Sequence, residues 1–191
     1  DDDGHFLVVA TAAQRLLQRS DNLSVLVVGG SLGAQVLNDV VPKALSLMGK
    51  AQRPRVIHQA GVKHIDALQA TYRAANVQAD VRPFIDDMAA AYRDCDLLIC
   101  RAGALTIAEI CAVGIASILI PFPHAVDDHQ TGNARFLSDV GAAILIAQQE
   151  LTPTRLADQI KRFTREQLTQ MATKARQLAK PDATEQVAKA C

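Results

Sequence analysis

The fold is decided by residues 96–110, which read DLLICRAGALTIAEI. Residues 96–100 are largely apolar and predict a short buried strand, and Gly103 then allows a tight turn into a helix. In that helix, a spacing of three residues places Gly103, Thr106 and Glu109 on one face. The stretch therefore predicts a strand, a glycine turn and a helix whose one carboxylate shares a face with its one hydroxyl group.

Strand and helix patterns alternate along the chain on either side of this stretch. Apolar, β-branched runs predict strands at residues 24–28, 55–59, 77–81, 96–100, 115–120 and 142–146. Amphipathic patterns predict helices at 36–45, 65–73, 88–93, 103–111 and 131–139, and then a helix that begins at Pro153 and helices at 166–179 and 182–190. Capping residues support two helix starts, Asp86 or Asp87 before Met88 and Thr152 before Pro153.

This alternation predicts an α/β fold of the Rossmann-like, doubly wound class. The expected sheet is parallel, has about six strands in the order 3-2-1-4-5-6, and carries extra helices at its carboxyl-terminal end. A chain of 191 residues, 49% of them hydrophobic, can form one domain with a substantial core. We expect the domain to span residues 23–191 and interpret residues 1–22 as a linker, a cut domain edge or a remnant of an expression sequence.

Charge and cysteine content exclude several classes of function. Twenty basic and twenty acidic residues balance, so no overall positive charge favours nucleic acid. The four cysteines form no Cys-x-x-Cys pair, which is typical of free thiols in a reducing compartment. Apolar runs are too short to span a membrane, and the acidic start does not resemble a signal peptide. We therefore expect a cytoplasmic location.

Two glycine turns are predicted to meet at one crevice. In the expected strand order the first and fourth strands are neighbours where the winding reverses, which is where such sheets bind ligands. The first strand ends in Gly29, Gly30 and Gly33, and the fourth ends in Gly103. Backbone N–H groups at such turns favour an anion. Glu109 is expected to face the same crevice.

Other functions for the first glycine turn are less well supported. The turn is not G-x-G-x-x-G, and His58 and Gln59 stand where a dinucleotide site needs an acid, so no redox cofactor is predicted. It does match G-x-S-x-G, which would make Ser31 the nucleophile of an α/β hydrolase with Asp127 or Asp128 and His129. That nucleophile normally follows a strand in the middle of the sheet, not the first one.

The loop at residues 121–130 is rich in polar side chains. His124 and His129 lie five residues apart, a spacing that matches no helical pair of metal ligands, so no metal site is predicted. Gln130 offers both a donor and an acceptor, as recognition of a sugar hydroxyl group requires. A solvent-exposed loop glutamine is the alternative interpretation.

Four stretches together resemble one family. They are VVGGSLGA (residues 27–34), FIDDM (84–88), RAGALT (101–106) followed by Glu109, and HQ (129–130) followed by NA (133–134). In this order they resemble the bacterial N-acetylglucosaminyltransferases that make lipid II, the undecaprenyl-linked precursor of peptidoglycan.

The resemblance implies one half of a two-domain GT-B glycosyltransferase, the carboxyl-terminal half that binds UDP-N-acetylglucosamine. Uracil would contact the backbone at Ile85 and the side chain of Met88, and Glu109 would bind both ribose hydroxyl groups. The diphosphate would lie against Ser31 and the helix start, and the sugar against His129 and Gln130. The implied phosphate-binding residues are Gly29, Gly30, Ser31, Gly33, Gly103, Ala104, Leu105 and Thr106. No metal or other cofactor is implied.

The resemblance also implies partners that this chain lacks. The acceptor, a lipid-linked N-acetylmuramyl pentapeptide, and the general base would belong to an amino-terminal half, which would lie on the inner face of the cytoplasmic membrane. Arg15 and Arg19 cannot be assigned to the arginine expected in the interdomain linker. We expect this chain alone to bind the donor weakly, to transfer nothing and to self-associate through surface that the other half would cover. A glycosyltransferase for another UDP sugar and a non-catalytic binding module are the remaining alternatives.

Overall fold

The computed structural model describes residue 16 and residues 21–30, 34–123 and 128–179. The helix expected at 182–190 and the interpretation of residues 1–15 and 17–20 lie outside the described residues. No helix within the described ranges is long and apolar enough to cross a membrane.

Six parallel strands form one sheet in the order β3-β2-β1-β4-β5-β6, which confirms the predicted fold class and strand order. The strands are β1 (Ser24–Val28), β2 (Arg55–Gln59), β3 (Asp80–Arg82), β4 (Leu97–Cys100), β5 (Ser117–Leu119) and β6 (Ala143–Leu145). Because β1 pairs with both β2 and β4, the winding reverses at β1, as predicted.

Seven α-helices accompany the strands of the described part of the chain. They are α1 (Gln35–Ser46), α2 (Ile65–Ala74), α3 (Met88–Asp94), α4 (Ala104–Val113), α5 (His129–Ser138), α6 (Pro153–Arg162) and α7 (Arg165–Gln177). Asp87 caps α3 by accepting a hydrogen bond from the N–H of Ala90, and Thr152 caps α6, which confirms both predicted caps. The fifth helix begins at His129, two residues before the predicted start.

Side chains alternate between two cores, one on each face of the sheet. Val25 and Val27 of β1 face the core that contains α1, α2 and α6, whereas Leu26 faces the core that contains α3, α4 and α5. Strands buried on both faces read as continuous apolar runs, which is why the sequence predicts them so clearly.

The third strand was predicted at residues 77–81, and its start is wrong: the strand spans Asp80–Arg82. Asn76 adopts a left-handed conformation at φ 51°, and the N–H of Val77 bonds the carbonyl of Tyr72 at the end of α2. These residues therefore terminate the helix instead of pairing with β2. Pairing starts at Asp80, which lies opposite Ile57.

A buried carboxylate fixes the amino-terminal edge of the sheet. Asp96 accepts a hydrogen bond from the N–H of Ser24 at 2.8 Å, and Arg165 of α7 lies 3.3 Å from the same oxygen. The side chain of Asp96 is 1% exposed, so this pair ties β1, the start of β4 and α7 together away from solvent. It lies at the edge opposite the glycine turns.

His58 of β2 is buried completely, and its Nδ1 lies 2.9 Å from the hydroxyl of Tyr72. Burial lowers the pKa of His58 from 6.5 to about 3, so the folded protein holds this imidazole neutral. In a dinucleotide-binding site an acidic residue stands at the end of the second strand. Here His58 stands there instead, as a buried and neutral side chain.

His58 makes stability depend on pH. Between pH 6.5 and 3 the unfolded chain binds a proton at His58, whereas the folded chain does not. The free energy of unfolding is therefore highest above pH 6.5 and decreases as the pH falls through this range. We expect the unfolding free energy to drop by about 2 kcal/mol more between pH 7 and pH 5 in the wild type than in His58→Gln. Urea unfolding at both pH values measures this difference, and parallel pH dependences of the two proteins would contradict it.

Candidate functional site

A cavity of about 560 Å³ opens at the carboxyl ends of β1 and β4, and we call it the crevice. Gly29 and Gly30 line one side, and Gly103 and Thr106 line the other. Strand pairing explains the position of the crevice, because Val28 lies opposite Cys100 and the two strands end at the same level of the sheet. The structure thus brings the two glycine turns that the sequence singled out to one cavity.

Gly30 gives the first turn its shape. Its φ of 84° is a conformation that residues with a Cβ rarely adopt, and an added Cβ would meet no atom of the described residues within 4 Å. The backbone beside it is therefore open to a ligand. Ser31 and Gly33, together with Leu32, lie outside the described residues, so their assigned contacts with phosphate stay predictions.

The second turn presents the start of α4. Gly103 occupies the position before the helix and provides no side-chain cap, and the first helical hydrogen bond runs from Ile107 to the carbonyl of Gly103. The N–H groups of Ala104, Leu105 and Thr106 therefore have no acceptor within the helix. Such a helix start attracts negative charge.

Two side chains of α5 hold this turn in place. Gln130 accepts hydrogen bonds at Oε1 from the N–H of Phe122 at 2.9 Å and of Ala102 at 3.3 Å. Asn133 donates from Nδ2 to the carbonyl of Ala102 at 3.0 Å. Both backbone groups of Ala102 are thus bonded to side chains of α5, immediately before Gly103.

These contacts refine what Gln130 can do. Its oxygen is occupied by backbone groups, so only its Nε2 amide group is left to donate to a sugar hydroxyl group. His129 is exposed at the first position of α5, and its predicted contact with the sugar stays untested. His124 and Asp127 lie outside the described residues.

Arg101 adds a positive charge to the wall of the crevice. Its Nη1 donates to the carbonyls of Ile120 and Pro121, and its guanidinium lies 5.3 Å from the centre of the Phe122 ring. Partial burial lowers the pKa of this guanidinium, and no described carboxylate forms an ion pair with it. Sequence analysis gave Arg101 no role, because only the fold shows that its charge lines the cavity.

Glu109 lies one turn beyond Thr106 on α4 and is half-buried. Its Oε2 accepts a hydrogen bond from the hydroxyl of Tyr92 at 2.9 Å. Burial, and secondly the bond to Glu109, raise the pKa of Tyr92 above its usual range. Sequence analysis missed this partner. The one feature of the sequence that could have indicated Tyr92 is its place on the apolar face of the short helix predicted after the FIDDM stretch.

Ile85 and Met88 flank the start of α3, on the same side of the sheet as Tyr92. Ile85 is buried in the core that α3 and α4 share, and Met88 packs against that core. Neither of them, nor Glu109, which was expected to face the crevice, lies among the residues that line it. Their predicted contact with a base would therefore extend the ligand beyond the crevice, toward α3.

The other candidate chemistries gain no support from the described residues. No group of three or more His, Cys, Asp or Glu side chains there could hold a metal ion. Cys100 lines the crevice, and its burial raises the pKa of the thiol far above its usual value. The hydrolase hypothesis depends on Ser31, which is not described, and Asp128 accepts a hydrogen bond from the hydroxyl of Thr131.

Comparisons with known proteins agree on one family. Residues 24–187 match the model of the glycosyltransferase family 28 C-terminal domain. The chain is 63% identical over 183 residues to the UDP-N-acetylglucosamine--N-acetylmuramyl-(pentapeptide) pyrophosphoryl-undecaprenol N-acetylglucosamine transferase of Azoarcus sp. (strain BH72), covering 96% of this chain and 51% of that protein. It is 59% identical to the protein of the same name from Dechloromonas aromatica (strain RCB), again over 96% of this chain and 52% of that one.

A solved structure supports the same assignment. The crystal structure of Acinetobacter baumannii MurG superimposes with a TM-score of 0.86 at 44% sequence identity, covering 94% of this chain and 52% of that one. The chain thus spans about half the length of the curated relatives it matches. These relatives, which share both its sequence and its fold, are named as glycosyltransferases. The chain belongs to the family of the glycosyltransferase family 28 C-terminal domain.

Proposed function

We propose that the crevice binds UDP-N-acetylglucosamine and that this chain is the donor-binding half of an N-acetylglucosaminyltransferase. The observation that carries the proposal is the shared cavity of the two glycine turns, with an uncapped helix start and an arginine on its wall. Both features attract the negative charge of a diphosphate. The relatives at 59% and 63% identity are named for transfer to an undecaprenol-linked N-acetylmuramyl pentapeptide, which is the acceptor we propose.

The nucleoside would lie along α4 and α3. Glu109 would accept hydrogen bonds from both ribose hydroxyl groups, since a carboxylate has acceptor sites on two oxygens. The uracil would then contact the backbone at Ile85 and the side chain of Met88. The position of Glu109, about 9 Å along α4 from Gly103, agrees with a ribose that follows a diphosphate held at the helix start.

The diphosphate would occupy the crevice itself. Ser31 and the open backbone at Gly30 would contact it from the side of β1, and the N–H groups of Ala104, Leu105 and Thr106 from the side of β4. The N-acetylglucosamine would extend toward His129 and the Nε2 group of Gln130. This places C1 of the sugar at the mouth of the crevice, where an acceptor can approach.

In the proposed reaction the 4-hydroxyl group of the N-acetylmuramyl lipid attacks C1 and inverts it. The new C–O bond forms as the bond from C1 to the diphosphate oxygen breaks, and UDP leaves with the electron pair. Negative charge grows on the diphosphate in the transition state, where the start of α4 and Arg101 stabilise it. The group that removes the proton from the acceptor would belong to the amino-terminal half, and the proposed chemistry uses no metal.

The remaining predictions concern the whole protein. We propose that residues 23–191 are the donor domain, that the acceptor is bound by a second half of the whole protein, and that the whole enzyme works on the inner face of the cytoplasmic membrane, where its lipid-linked acceptor is. This chain alone should bind the donor weakly and transfer nothing. Self-association of the isolated chain stays a prediction, which light scattering would check.

Removing the carboxylate of Glu109 should weaken nucleotide binding. Glu109→Ala removes charge-assisted hydrogen bonds to the ribose, so we expect the dissociation constant for UDP to rise by roughly ten- to a hundredfold. Isothermal titration calorimetry measures the change. Glu166→Ala is the matched control, because Glu166 is an exposed glutamate at the start of α7, at the opposite edge of the sheet. Unchanged UDP affinity in Glu109→Ala would refute the role of this carboxylate.

The same titration distinguishes donors. UDP-N-acetylglucosamine should bind more tightly than UDP-glucose or UDP-galactose if His129 and Gln130 recognise the sugar. Equal affinities would instead favour a glycosyltransferase that selects its sugar elsewhere, and no detectable binding of any UDP compound would favour a non-catalytic module.

Arg101 should matter for the phosphates and not for the nucleoside. We expect Arg101→Gln to weaken UDP binding about tenfold, because a charged donor is lost, and to leave uridine binding unchanged. Arg101→Lys keeps the charge and should retain most of the affinity. Competition titrations with UDP and uridine test this, and an equal loss for both ligands would show that Arg101 only holds the carbonyls of Ile120 and Pro121.

A further inference from the structure

We infer that Tyr92 is the positioning residue of the ribose site, because its hydroxyl fixes the carboxylate of Glu109 in the orientation that accepts the sugar's vicinal hydroxyl groups. The inference rests on the proposed function and adds to it a residue on another helix. Tyr92 would not touch the ligand and would act only through Glu109.

The contact joins two helices. Tyr92 lies on α3 and Glu109 on α4, and the hydroxyl of the tyrosine is 2.9 Å from Oε2 of the glutamate. The tyrosine is 5% exposed, and its ring is packed in the core that also holds Leu98 and Ile107. A packed aromatic ring has little freedom, so its hydroxyl is a fixed point to which the flexible glutamate side chain is bonded.

The hydrogen bond leaves acceptor capacity for a diol. Each carboxylate oxygen accepts about two hydrogen bonds, so Oε2 retains one site beside the tyrosine and Oε1 retains both. In the described part of the chain no other side chain or backbone group donates to this carboxylate. An ionised carboxylate has no proton to donate, so in this pair the tyrosine hydroxyl is the donor. The raised pKa of Tyr92 means that the hydroxyl keeps its proton at neutral pH.

Holding Glu109 before the ligand arrives lowers the cost of binding. A free glutamate side chain loses rotamer entropy when it is ordered, and a side chain that is already ordered does not lose it again. The same helix α3 begins at Met88, which is itself assigned to the base. A shift of α3 would therefore move the base site and the support of the ribose site together.

The experiment compares UDP with 2′,3′-dideoxy-UDP, which lacks both hydroxyl groups that Glu109 would bind. Tyr92→Phe keeps the packed ring and removes only the hydroxyl. We expect it to weaken UDP binding about five- to tenfold and to change dideoxy-UDP binding less than twofold. Adding Tyr92→Phe to Glu109→Ala should cause no further loss. Tyr72→Phe is the matched control, since it removes the hydroxyl that faces His58, and should leave the ratio of the two affinities unchanged.

Each result has a distinct meaning. If Tyr92→Phe weakens both ligands equally, Tyr92 is only a packing residue and the inference fails. If Glu109→Ala abolishes the preference for UDP while Tyr92→Phe leaves it intact, the inference fails and the ribose role of Glu109 stands. If the wild type and Glu109→Ala show the same preference, the ribose role of Glu109 fails, and the inference fails with it.

Discussion

Everything at the candidate site depends on the parallel pairing of β1 with β4. These strands are separated by two strands and three helices in sequence, yet their last residues, Val28 and Cys100, lie side by side. Because the winding reverses there, the helices that follow the two strands, α1 and α4, pack on opposite faces of the sheet and a crevice stays open between them. The buried pair of Asp96 and Arg165 ties the opposite ends of the same two strands to α7.

Two parts of helix α4 suit two chemically different parts of the proposed ligand. The start of α4, with Arg101 beside it, presents positive potential to the part that carries negative charge. Further along the same helix, Glu109 would present a carboxylate to the part that carries hydroxyl groups. Neighbouring helices support both ends, since α5 holds Ala102 through Gln130 and Asn133 and α3 holds Glu109 through Tyr92.

Sequence analysis predicted the features that depend on residues close together along the chain. Apolar runs located the strands, Asp87 and Thr152 marked helix starts, and the glycine turns pointed to the crevice. It failed where residues far apart in sequence meet. Tyr92 and Glu109 are 17 residues apart, and Asn133 and Ala102 are 31 apart, so no local pattern shows these contacts. The third strand was misplaced because Val77 has a strand-forming side chain but a backbone that ends α2.

The claim that the crevice is the nucleotide site is tested most directly by nuclear magnetic resonance. Titration of UDP into the ¹⁵N-labelled chain should shift the amide signals of Gly30 and of Ala104, Leu105 and Thr106, because their N–H groups face the proposed diphosphate. Signals around the second described cavity, lined by Lys50, Arg53 and Asn76, should stay in place. Shifts confined to that second cavity, with the amides of Ala104 to Thr106 unmoved, would contradict the account.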